Sequence, residues 1–255
     1  RPENDEIMED ISITFLRDSE IDGEILIEGL PGVGQVGKLV ADHLIDELDA
    51  EKIAEVHSIF FPPQVVIDGD GVAHLAKNEF YRYHDGTRGI IFLVGDFQSN
   101  SPEGHYLLSD AYLNAVEQMG VTRIYTLGGY GVGHMLDSIR VLGSVNNIDL
   151  KESVEELGVN FPEESDGGGI IGASGLLLGL SAQRGMEGIC LMGETSGYLV
   201  DPLSATVVLE ILSKLIGVEV SSAKLHERAG EMEPLVNHIR KMESAPSDEE
   251  LSYIG

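Results

Sequence analysis

From Glu24 to Met192 short apolar runs alternate with segments of helical spacing, and glycine or proline stands at most junctions. A chain patterned in this way folds as α/β, because strands too apolar to face water need helices to cover them. The first unit of the alternation is the clearest. Glu24 to Glu28 reads as a strand, a Gly-rich turn follows, and Gln35 to Leu48 reads as a helix with Val36, Leu39, Val40, Leu44 and Leu48 near one face. Ile53 to Phe61 is the next expected strand, closed by Pro62-Pro63. Val65 to Ile67 and Val72 to Phe80 read as a hairpin around Asp68-Gly-Asp-Gly71. Arg88 to Val94 is a buried strand, and Ser101-Pro102 opens a helix that runs to about Met119.

The second half repeats the scheme. Thr122 to Leu127 is a strand, with Gly128-Gly-Tyr-Gly-Val-Gly133 expected as the loop after it. Ser138 to Val145 reads as a strand and Leu150 to Leu157 as a short helix stopped by Gly158. A small-residue segment from Gly167 to Gly185 carries a helix around Leu176 to Leu180. Glu187 to Met192 is the last buried strand, and helices follow over Leu203 to Ile216 and Ser221 to about Met242. The expected architecture is a single α/β domain over residues 1–243, a mainly parallel sheet flanked by helices. Residues 244–255 are expected to form an acidic, flexible C-terminal tail.

The charge balance narrows the partners. Sixteen Lys and Arg stand against 44 Asp and Glu in 255 residues, a formal charge of −28. Such a surface repels phosphate backbones, so neither nucleic acid nor an anionic membrane is an expected partner. The apolar fraction of 42% and mean hydropathy of +0.02 suit a soluble protein with a full core. No apolar run approaches the roughly 18 residues of a membrane span. The opening Arg1-Pro-Glu-Asn-Asp-Glu6 does not read as a signal peptide, and a cytoplasmic location is expected. So few Lys among so many carboxylates would suit a high-salt cytosol. The one cysteine, Cys190, excludes an internal disulfide framework and any multi-Cys metal site. It lies in the apolar run Gly188 to Met192, the setting of a buried structural thiol.

Gly32-Val-Gly-Gln-Val-Gly37 follows a strand and opens a helix, the context of a dinucleotide fingerprint. The acidic residue that should end the next strand is missing, because that strand closes on Phe60-Phe-Pro-Pro63. Gly32 to Lys38 also approaches a phosphate-binding loop, but Leu39 stands where a magnesium-ligating hydroxyl is needed. No cofactor is expected. The glycines read as a sharp turn from a strand into a close-packed helix, whose N-terminus can still hold an anion. None of the eight histidines has zinc-site spacing, so no metal is expected. Asp96, His105, His134 and Glu194 flank strand ends, where open parallel sheets gather ligand groups. Asp96, His105 and Glu194, with Gly32, Gly34, Gly37, Gly129 and Gly131, are the candidates for a ligand crevice. No G-x-S-x-G elbow is present.

Five runs, taken in order, resemble the proteasome assembly chaperone family in its archaeal branch. They are Glu28 to Gly37, Thr126 to Gly133, Gly175 to Leu180, Cys190 to Thr195 and the helix start Asp201-Pro-Leu-Ser-Ala205. The resemblance covers about residues 10–240. It implies a fold of phosphorylase/hydrolase-like type and a non-catalytic role, binding proteasome α-subunits during assembly. It also implies a homo-oligomer. Some members have carried an ATP-grasp-like enzyme label, but no lysine-rich nucleotide clamp or acidic magnesium pair is evident here. Members that contact the proteasome are expected to end in a hydrophobic-Tyr-any tripeptide. This sequence has Ser252-Tyr-Ile-Gly255, a shift of one residue, which makes Leu251, Tyr253 and Ile254 the tail's candidate binding groups. The alternative is a small-molecule enzyme of nucleoside-phosphorylase-like or carboxylate-amine-ligase type. It would use the same crevice with Asp96, His105 and Glu194.

Overall fold

Every residue of the strand Gly89–Gly95 is buried, which places it inside the molecule with both faces covered. In chain order the strands are β1 (Ile11–Phe15), β2 (Ile25–Glu28), β3 (Glu51–Ser58), β4 (Val65–Ile67), β5 (Ala73–Leu75), β6 (Asn78–His84), β7 (Gly89–Gly95), β8 (Arg123–Gly131), β9 (Val141–Val145) and β10 (Glu187–Thr195). The helices are α1 (Val36–Glu47), α2 (Pro102–Gln118), α3 (Lys151–Glu155), α4 (Ala173–Gln183), α5 (Pro202–Ile216) and α6 (Ala223–Glu243). This computed structural model describes residues 9–16, 22–161 and 168–243. The expected tail, with Leu251, Tyr253 and Ile254, lies outside the described residues, as does Gly167.

Eight strands form one sheet in the order β1-β3-β6-β7-β2-β8-β10-β9. The centre, β7-β2-β8-β10, is parallel, because helices carry the chain between those strands. The margins are antiparallel. Between β6 and β7 the connection is only a tight turn, in which the Asp85 carboxylate accepts from the N–H groups of Thr87 and Arg88, each at 2.8 Å. A turn that short permits only an antiparallel pair. The sheet is thus mixed, with the expected parallel order confined to its middle.

Alternation along the central strands sorts the core into two layers. Ile27, Ile90, Phe92 and Leu127 pack against α1 and α5 on one face. Leu26, Ile91, Leu93 and Ile124 pack against α2 and α4 on the other. Truncating a fully buried ring such as Phe92 to Ala would cost about 3–5 kcal/mol. Local signals set the helix starts. The Ser101 hydroxyl accepts from Gly104 N at 3.1 Å and Pro102 follows it. Asp201 does the same for Ser204 N at 2.9 Å, again followed by proline.

Four expectations change. The strand expected to reach Phe61 ends at Ser58, whose hydroxyl accepts from Phe60 N and whose carbonyl accepts from Phe61 N. The hairpin's second arm ends at Leu75. At Ala76 the chain leaves the ribbon, and Asn78 begins β6, which pairs with β3 and β7. The run Gly128 to Gly131, expected as a loop, continues β8, with Gly129 opposite Gly193 and Gly131 opposite Thr195. Finally, β1 forms an antiparallel edge on β3 that the sequence reading did not anticipate.

Candidate functional site

The strands β2, β7, β8 and β10 all point their carboxyl ends the same way, the position at which open sheets hold ligands. There β2 gives way to the turn Gly29 to Gln35 and then to α1. Gly34 adopts φ +63°, a left-handed conformation that glycine takes without strain. Gly37 sets the depth of α1, since a Cβ there would stand 2.3 Å from the Leu127 carbonyl oxygen of β8. The glycine motif therefore builds a sharp turn and a close helix-to-sheet contact.

Beside this turn lies a crevice of about 970 Å³. Its walls are Leu30 to Val33 of the turn, Leu127 to Tyr130 of β8, Leu142 to Val145 of β9 and Gly168 to Gly172 ahead of α4. Of the expected residues, Gly32, Gly129 and His105 line it. Burial holds the His105 imidazole below its ordinary pKa, so the ring is neutral at pH 7.

The structure places the remaining candidates elsewhere. Gly34 abuts Thr195, and a Cβ on Gly131 would meet Val33. Asp96 accepts from Lys77 N at 3.0 Å and so fastens the start of β6 to the end of β7. Glu194 has a buried carboxylate bound by Arg140, whose Nε lies 3.0 and 3.1 Å from its two oxygens. That guanidinium holds the Glu194 carboxyl below the usual range. None of these lines the crevice. Asp96, His105 and Glu194 thus do not converge as an acid-base set.

Three polar residues that the sequence reading passed over organise the floor. Glu28, at the end of β2, is wholly buried. Its carboxylate accepts from Leu30 N at 2.9 Å and from the Ser174 hydroxyl at 2.9 Å. Burial raises its pKa to about 7 against those hydrogen bonds. Gln98 donates from Nε2 to the Pro31 carbonyl at 2.8 Å and accepts at Oε1 from Ala173 N at 2.9 Å. It therefore ties the glycine turn to the start of α4. A carboxylate closing the apolar run Ile25-Leu-Ile27 was a visible signal for Glu28; Gln98 and Ser174 had none. Among the described residues no group of three His, Cys, Asp or Glu could hold a metal ion. No helix of the described residues is long and apolar enough to cross a membrane.

A model described as the PAC2 family matches residues 26–240. An uncharacterized protein of Methanocaldococcus jannaschii is 39% identical over 244 residues, covering 92% of this chain and 93% of the relative. The crystal structure of PbaB of Pyrococcus furiosus, described as an archaeal proteasome activator, is similar with a TM-score of 0.84 and 40% identity. That match covers 91% of this chain and 99% of PbaB. PbaA of the same organism, described as an archaeal homolog of proteasome-assembly chaperone, is similar with a TM-score of 0.76 and 30% identity, over 96% of this chain and 98% of PbaA.

Proposed function

The chain belongs to the PAC2 family, and from that premise we propose that it is a non-catalytic assembly factor that binds proteasome α-subunits in the cytoplasm, working as a homo-oligomer. The observation that carries this reading is the likeness to PbaB and PbaA along nearly the whole chain. The crevice supports binding over catalysis. It carries no carboxylate among its described residues, and its one histidine stands apart from Asp96 and Glu194. A general acid-base pair would have to reach a common substrate atom, and these groups do not line a common space.

Purified protein mixed with isolated α-subunits tests the proposal. Co-elution as a complex of defined mass is expected, together with an altered yield of assembled α-rings. Absence of any complex over a wide concentration range would overturn it. A second reading, an activator of the finished particle, is favoured by the greater likeness to PbaB. It predicts a higher peptidase rate when the protein is added to assembled proteasomes, which an assembly factor alone would leave unchanged.

A further inference from the structure

Helix α6 lies over the body of the protein without closing onto it. Leu225, Ala229, Met232, Val236 and Ile239 recur every three or four residues and form one apolar stripe. Only Leu225 among them is buried; the others are half-buried. Polar contacts hold the far end of the helix instead. Arg240 donates to the Leu136 carbonyl at 2.6 Å, and Met135 N donates to the Glu243 carboxylate at 3.2 Å. Between stripe and body remains a pocket of about 340 Å³. Met135 and Ile139 of the β8–β9 connection, Leu199 and Val200 of the β10–α5 connection, and Met232 and Val236 of α6 line it. That volume stands at the lower end of the range for small-molecule sites, about 300–1,000 Å³. Its methionines let the walls adjust to an occupant.

Two acceptors at this pocket lack donors. Pro234 stands inside α6 and has no N–H, so the carbonyl of Gly230, four residues earlier, misses the donor a helix would give it. Gly230 lines the pocket. So does Glu233, whose carboxylate has no partner among the described residues. The other charged groups of the lining are already engaged. The two oxygens of Asp201 accept from Ser204 N at 2.9 Å and from the Thr195 hydroxyl at 2.7 Å. Arg240, the one cation among the described lining residues, is bound to the Leu136 carbonyl, with Asp137 3.7 Å away. Ser196 and Asn237 add a neutral hydroxyl and a neutral amide. An occupant that completes this site is apolar in its body and carries a positive, hydrogen-bond-donating head.

We propose that the pocket under α6 binds a small primary amine, with its apolar body among Met135, Leu199 and Met232 and its ammonium donating to the Gly230 carbonyl and Glu233. An ammonium brings three donors and one positive charge. The field of a chain at −28 draws such cations in and turns organic acids away. Gly230 and Pro234 also make the middle turn of α6 its weakest, so the half beyond them can swing outward and admit the ligand. Once bound, the amine fastens that half of the helix to the β10–α5 connection. The inference rests on this pocket and is independent of what the protein assembles.

The test uses the full chain with isotope-labelled methionine methyl groups, read by NMR, and three matched probes: phenethylamine, phenethyl alcohol and phenylacetate. Phenethylamine is expected to shift the Met135 and Met232 signals saturably. The signals of Met119 and Met186, buried in the other core layer, should stay in place. Phenylacetate should give no saturable shift. Glu233→Gln should weaken the amine about fivefold while barely changing the alcohol. Pro234→Ala returns a donor to the Gly230 carbonyl; it should stabilise the helix and yet weaken the amine as well. Absence of saturable shifts, equal affinity for phenylacetate, or amine binding undiminished in both variants would overturn the proposal. Movement of the two signals on dilution would seat a second copy in the pocket, and their movement on deletion of residues 245–255 would seat that segment there; either would overturn it too. None of these readouts involves α-subunits, so failure here and failure of the assembly-factor reading are separable.

Discussion

The Ser174 hydroxyl donates to Glu28 at 2.9 Å across 146 residues of sequence, joining the buried end of a central strand to the first turn of α4. The glycine turn, the carboxyl end of β2 and the start of α4 are held as one unit by this bond, by Leu30 N on the other carboxylate oxygen and by Gln98.

Glu28 makes stability depend on pH. Its pKa is about 7 in the folded protein against an ordinary value of 4.5. Between these values the folded protein keeps a proton that the unfolded chain releases, so the contribution is full below about pH 4.5 and lost as pH rises through about 7. At about 1.4 kcal/mol per unit the swing is roughly 3 kcal/mol. Glu28→Gln cannot titrate. Between about pH 5 and pH 8 the melting temperature of the wild type should fall relative to that variant. A constant difference across this range would show that Glu28 keeps one protonation state throughout it.

Gly37 and Gly179 should respond oppositely to alanine. At Gly37 the new methyl meets a backbone oxygen at 2.3 Å, and a loss of about 1–3 kcal/mol or more is expected. Gly179 lies exposed within α4 with open space at its Cβ position, and Gly179→Ala should gain about 0.5–1 kcal/mol. Urea unfolding measures both. Equal effects would mean that α1 can move away from β8 at little cost.

Lys38 is engaged along its own helix, 2.9 Å from Asp42 one turn on. Such a half-exposed pair contributes about 0.3–0.5 kcal/mol. Lys38→Ala should change stability by no more than that, and neither protein should turn over ATP. An ATPase rate in the purified wild type that Lys38→Ala abolishes would restore the phosphate-loop reading.

Deleting residues 245–255 should leave the melting temperature and the oligomeric mass unchanged while weakening capture of α-subunits. In that segment Leu251, Tyr253 and Ile254 are the large apolar groups, set among Asp248, Glu249 and Glu250. Ordering each residue costs about 1–2 kcal/mol of backbone entropy, so a single tail binds weakly. Undiminished binding without it would assign docking to the folded part of the chain.

What could be read from the sequence was what neighbouring residues decide. Ser101-Pro102 announced α2, and the apolar run Ile90 to Val94 announced β7. The departure of β6 from the hairpin could not be read, because it depends on pairing with β3 and β7 rather than on Ala76 and Lys77 themselves. The extension of β8 through Gly128 to Gly131 was hidden for a similar reason. Glycines favour loops in isolation, and only the partner β10 holds these in a strand. At the site, the choice of Asp96 and Glu194 followed chemical type and strand-end position. Their partners, Lys77 N and Arg140, come from separate parts of the chain and turn them into fasteners. Gln98 was overlooked for the converse reason, since its role exists only once Pro31 and Ala173 are brought together.

Cys190, at the middle of β10, has no exposure to solvent, and burial pushes its thiol pKa up to about 12. The one native thiol is therefore neither a nucleophile nor open to oxidants while the fold is intact. A cysteine introduced on the surface becomes the sole accessible thiol for maleimide or iodoacetamide. Conversely, labelling of the unmodified protein reports unfolding of the central sheet itself. The buried thiol is a built-in probe of global opening, readable by mass spectrometry as a single added group.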